Sequence, residues 1–185
     1  KPANLVGASL GGMTSLSLAG DPDYSSLCKS LTMVDIGIYP NQDGSDRIVE
    51  FMRSAQNGFS SLGEAADYIS DFLPHREKPK DLSGLHKNLR KKDDRFYWHW
   101  DPKFLQGRQG QDIKEYFGHL EKAANFLNIP TLLIRGGLSD VLTEEDKDYF
   151  LKVVSHAEFE EISNAAHMVA GDKNDIFSKA VEKFL

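Results

Sequence analysis

The chemistry of this chain begins at a serine between glycines. Gly7-Ala8-Ser9-Leu10-Gly11 has the form G-x-S-x-G, follows the apolar run Ala3-Asn4-Leu5-Val6 and precedes the small-residue stretch Gly12–Ala19. That order predicts a strand, a sharp turn and a helix. The turn would hold Ser9 in a strained conformation above the helix N-terminus, and side chains at positions 7 or 11 would crowd it. A serine hydroxyl is a poor nucleophile until a base takes its proton, so a histidine is required. Of six histidines, His75, His86, His99 and His119 fall in one long central stretch, and His156 precedes an apolar run. His167 instead follows such a run, within Asn164-Ala165-Ala166-His167-Met168, where small neighbours let an imidazole lean over Ser9.

A third group must orient the imidazole and stabilise its cation, which calls for a carboxylate. Asp140 follows Thr131–Ile134 through Arg135-Gly136-Gly137-Leu138-Ser139, and the paired glycines permit a tight departure from a strand. Asp35 competes, because it ends another apolar run in Met33-Val34-Asp35-Ile36. The reading prefers Asp140 as the acid and assigns Asp35 to organising its loop. Ser9, Asp140 and His167 then stand at three strand ends, where catalytic groups of open α/β sheets gather.

Four short runs read as strands: Asn4–Val6, Ser30–Val34, Thr131–Ile134 and Glu158–Ile162. Continuous apolar runs of this kind suit parallel strands covered on both faces. Helical spacing recurs at Ile176, Ala180, Val181 and Phe184. The fold class expected is therefore α/β, a doubly wound and mostly parallel sheet built from 1–38 and 129–185. Residues 39–128 form an expected helical insertion without a clear strand. Within it, Ser61-Leu62-Gly63-Glu64 reads as a capping box opening a helix to about Phe72, and Ile113, Phe117, Leu120 and Ala124 give another apolar face.

Composition narrows the function classes. A formal charge of −6 over 185 residues argues against a nucleic-acid footprint. The stretch Arg76–Arg95 carries eight Lys or Arg against four Asp or Glu, which reads as a solvated face. The single cysteine, Cys28, permits neither an intramolecular disulfide nor a CxxC metal pair, and its setting suits a small buried hydrophobe. No apolar stretch reaches membrane-span length and no signal-peptide pattern opens the chain, so a cytoplasmic protein is expected. The first strand-like run meets the serine motif at once, with no neighbouring strand before it, and the start looks cut.

The segments NLVGASLGGM, LTMVDI, PTLLIRGGLSDVL and NAAHMVAGDKND resemble the nucleophile, acid and histidine segments of α/β-hydrolases. FLPHREKPKDLSGLHKNLR and RFYWHWDP resemble the helical lid of a bacterial-type subgroup. The resemblance spans nearly the whole chain and implies a serine hydrolase acting on a small ester or related acyl substrate, without cofactor or metal. It also implies an oxyanion hole formed by the backbone N–H of Leu10 and by a second N–H from a loop ahead of the present start. Its absence would make the isolated chain a poor enzyme, and the expected partners are a small-molecule substrate and either a second copy or the missing N-terminal portion. The alternative is a hydrolase-like fragment serving as a binding or assembly module. Cofactor-free perhydrolase or peroxidase activity uses the same triad, whereas epoxide hydrolase and dehalogenase chemistry needs a carboxylate where Ser9 stands. The aromatic block around Trp98 and Trp100 either lines an acyl pocket or forms the lid's own core, and Met168 is a further substrate-binding candidate.

Overall fold

The computed structural model describes residues 1–105 and 113–185. In chain order its main elements are β1 (Ala3–Ala8), α1 (Leu10–Ala19), β2 (Cys28–Val34), α2 (Gln42–Ser54), α3 (Leu62–Phe72), β3 (Leu89–Lys92), β4 (Arg95–Trp98), α4 (Ile113–Phe126), β5 (Thr131–Gly136), α5 (Glu144–Val153), β6 (Glu158–Ile162), α6 (Val169–Asp172) and α7 (Asn174–Phe184). They fall into two compact units. One joins Lys1–Ser45 to Gln111–Leu185, and the other is Asp46–Gly110. No helix among the described residues is long and apolar enough to cross a membrane.

The larger unit is an α/β structure around a four-stranded sheet of order β1-β2-β5-β6, with every neighbouring pair parallel. The two inner strands lose the period-2 pattern of a half-exposed strand, because helices cover both of their faces. On one face Val34, Leu132, Ile134 and Ile162 pack with Ala165 and Val169, and Phe177, Ala180, Val181 and Phe184 of α7 close over them. Alternation along the pleat gives Leu31, Met33 and Leu133, all fully buried, to the other face. Cys28 starts β2 as a buried thiol, whose pKa burial pushes up. The outer strand β1 is different: Gly7 is its only buried residue, and Val6 is 47% exposed.

Helix α4 belongs to this larger unit. It packs on α1, and Gly20 at the end of α1 lies so close that a Cβ there would come 2.1 Å from the Ala123 carbonyl oxygen. Phe117, Leu120 and Ala124 supply the buried face of α4, while the side chain of Ile113 lies outside the described residues. The separate unit is accordingly narrower than the 39–128 insertion that the sequence suggests. Tyr39 and Tyr149 both donate to the Glu121 carboxylate, joining α4 to α5 and to the segment after β2. Burial, then the bond to Glu121, pushes the Tyr39 phenol up to about 12.

The smaller unit contains α3, most of α2 and an antiparallel hairpin, β3–β4, where the sequence reading expects no strand. Charge hid the hairpin: Leu89 faces Ala55, Phe59 and Ala65, whereas Arg90, Lys91 and Lys92 stay exposed. Its turn uses Asp93 at φ 52°, a conformation that Asp tolerates. Ser61 caps α3 by accepting from the Glu64 N–H at 3.1 Å, but the Glu64 carboxylate bonds Ser60 rather than closing the box on Ser61. Trp98 packs into an aromatic cluster, tilted against Phe51 with ring centroids 5.7 Å apart and edge-on to Phe59 at 5.4 Å.

Leu133 tests the larger core. Leu133→Ala, at a fully buried site, should cost about 2–5 kcal/mol in urea unfolding. Leu27→Ala, at 57% exposure, should stay within about 0.5 kcal/mol.

Candidate active site

Between the last residue of β1 and the first of α1 stands one residue, Ser9. Its backbone sits at φ 50°, ψ −120°, a conformation that costs a non-glycine residue on the order of 1–3 kcal/mol. The neighbouring ladder holds it there. Ser9 N–H donates to the Val34 carbonyl at 3.2 Å, and the Ser9 carbonyl accepts from Met13 N–H at 3.1 Å. Glycine is needed at position 7, where a Cβ would come 2.3 Å from the Gly11 carbonyl oxygen, and at position 12, where it would meet Ile36 at 2.5 Å. Position 11 is the correction: a Cβ there meets nothing within 4 Å, so crowding does not require that glycine. Leu10 begins α1, so its N–H is among those without an intrahelical acceptor.

Asp35 follows the end of β2 at φ 53°, and its own N–H donates to the Ile134 carbonyl at 2.7 Å. The turn aims its carboxylate at the end of β5, where it is fully buried. Oδ1 accepts from Gly136 N–H at 2.8 Å. Oδ2 accepts from the Ser139 hydroxyl and lies 2.8 Å from His167 Nδ1. With that carboxylate as acceptor, Nδ1 carries the proton and the Nε2 lone pair is left to act as a base. The imidazole side chain is 13% exposed.

The carboxylate bonded to His167 is thus Asp35, where the sequence reading places Asp140. Strand order gives the reason. The loop after β6 crosses the end of β5 towards β2, with Leu138 N–H donating to Ala165 at 2.8 Å. Gly136 lets the two backbones touch, since a Cβ there would lie 2.4 Å from the Ala166 carbonyl oxygen. Ala166 N–H is tied at 2.8 Å to Asp172, which fixes the approach of the next residue, His167. Asp140 is half-buried, and its carbonyl packs against Gly44, where a Cβ would come within 2.2 Å.

Met168 follows His167 and is 52% exposed. Trp98 and Trp100 lie in the smaller unit, where the cluster around Trp98 forms that unit's own core. Arg135, missed in the sequence reading, anchors the base of the β5 loop through Leu142 O at 2.8 Å, Glu144 at 2.6 Å and Glu161 at 2.5 Å. A hydrogen bond from Lys147, then the charge of Arg135, holds the Glu144 carboxyl below its ordinary value. Among the described residues, no group of three or more His, Cys, Asp or Glu is gathered as metal ligands would be.

The glycine contacts give a paired test. Gly7→Ala should destabilise the protein by more than about 2 kcal/mol, because backbone must move. Gly11→Ala should be neutral or raise stability by up to about 1 kcal/mol, since alanine favours helix. Thermal melts of both variants decide it, and equal losses would refute the assignment.

Comparison with known proteins agrees with this architecture. Residues 1–173 match the sequence model of the alpha/beta hydrolase fold. The chain superposes on E-2-(acetamidomethylene)succinate hydrolase with a TM-score of 0.82 at 18% identity, over 99% of this chain and 66% of that one. An esterase from Mycobacterium tuberculosis gives 0.74 at 26% identity, over 98% and 60%. An alpha/beta hydrolase from Novosphingobium aromaticivorans gives 0.72 at 19%, over 97% and 63%. The chain therefore spans between 60% and 66% of the length of these three proteins. On the match to residues 1–173, the chain belongs to the alpha/beta hydrolase fold family.

Proposed function

We propose that the protein is a serine hydrolase of small esters or related acyl compounds, with Ser9 as nucleophile, His167 as base and Asp35 as the acid. The hydrogen bond between His167 Nδ1 and a fully buried Asp35, in a sheet that also presents Ser9 on a strained turn, carries this reading. The esterase and succinate-derivative hydrolase among its structural relatives are consistent with acyl chemistry.

In the proposed reaction Ser9 Oγ attacks the acyl carbon while His167 Nε2 takes its proton. Asp35 keeps the proton on Nδ1 and stabilises the imidazolium. The oxyanion is met by Leu10 N–H at the start of α1. His167 then gives its proton to the leaving oxygen, and an acyl ester remains on Ser9. Water, deprotonated by the same Nε2, releases the acid and restores the serine.

A fluorophosphonate probe followed by p-nitrophenyl ester turnover tests the assignment. Ser9→Ala should abolish labelling. Asp35→Asn should lower the labelling rate by about 10⁴-fold, the scale seen when a triad acid is made neutral. Asp140→Asn should retain the rate within about tenfold, as expected of a residue outside the triad. Labelling that persists in Ser9→Ala, or a greater loss at Asp140 than at Asp35, would overturn the reading.

A further inference from the structure

Ser139 occupies a position that its hydrogen bonds define in direction as well as place. Its Oγ accepts from Val141 N–H and from Leu142 N–H, both at 3.2 Å. A hydroxyl has two acceptor sites and one proton. Backbone N–H groups can only donate, so both acceptor sites are taken and the hydroxyl proton has one destination, Asp35 Oδ2. Ser139 is itself buried. Gly136 N–H fixes the other carboxylate oxygen. Two donors that cannot reverse therefore hold Asp35 as an acceptor, in one plane, towards His167.

We propose that Ser139 is a positioning residue for the Asp35–His167 pair: it fixes the carboxylate as acceptor and thereby fixes the imidazole tautomer. This rests on Asp35 being the partner of His167. It gives the Gly136-Gly137-Leu138-Ser139-Asp140 loop a different role from the expected one. The loop supplies the holder of the acid, one residue before the carboxylate that resembles an acid in sequence. Without the hydroxyl, the Asp35 carboxylate loses one of its two donors besides the imidazole, and Gly136 N–H alone remains to fix its rotation about Cβ–Cγ.

The test reads the imidazole directly, without turnover. In the whole chain, proton and ¹⁵N NMR of the histidine rings should show a far-downfield Nδ1–H resonance that disappears in His167→Gln, which assigns it. Asp35→Asn should abolish it. Ser139→Ala should make that proton exchange with water faster by about tenfold or more, the loss expected when a charge-assisted hydrogen bond is removed. Ser139→Cys, of similar size but a weak donor, should behave like Ser139→Ala, and Ser139→Thr should restore the wild-type rate. A general loosening of the loop, which would overturn the role of Ser139, would also raise exchange at the Leu138 amide, which is bonded to Ala165 and not to the hydroxyl. Persistence of the resonance in Asp35→Asn would overturn the Asp35 pairing and this proposal with it. Loss in Asp35→Asn with unchanged exchange in Ser139→Ala and Ser139→Cys would overturn the role of Ser139 alone.

Discussion

A carboxylate with no exposure to water must find all its partners inside the protein, and that constraint organises the larger unit around Asp35. Its donors come from the end of β5, from the loop beyond it and from the segment after β6. They converge because β2, β5 and β6 are adjacent and parallel, so their carboxyl ends share one edge of the sheet. Antiparallel neighbours would send alternate ends to opposite edges. The close approaches at Gly136 and Gly44 follow from the same crowding.

The site divides its requirements among strands. Ser9 contributes backbone strain, which its neighbours on β2 and α1 absorb through hydrogen bonds. Asp35 also lies in the left-handed region, so two turns at neighbouring strand ends carry unfavourable backbone conformations. Such conformations persist where the surrounding structure overdetermines them. Here the overdetermination is visible, since backbone and side chain of Asp35 are both bonded to the β5 end.

Much of this was legible in the sequence, for physical reasons that differ by element. The inner strands show as unbroken apolar runs because both faces are covered. Ser9 and His167 show as chemical residues at the ends of such runs. The choice between Asp35 and Asp140 was not legible, because spacing along a chain does not say which loop leans across which strand. That depends on Leu138 meeting Ala165 and on Gly136 meeting Ala166, contacts between distant segments. The hairpin was hidden by Arg90, Lys91 and Lys92, whose charges outweighed the apolar alternation of a short strand. The motif was legible only in part, since the crowded helical position is Gly12 and not Gly11.

The unequal burial of β1 and β5 has a consequence for how the molecule loosens. All six residues of β5 are buried, whereas β1 has one and pairs with a single neighbour, β2. Local opening begins where few apolar contacts and few covered hydrogen bonds must be given up. Within this chain, amide deuterium uptake should therefore be faster in β1 and β6, each with one buried residue and one paired neighbour, than in β5. Ser9 thus follows a largely uncovered strand, whereas the Asp35 carboxylate is bonded to the end of a wholly buried one.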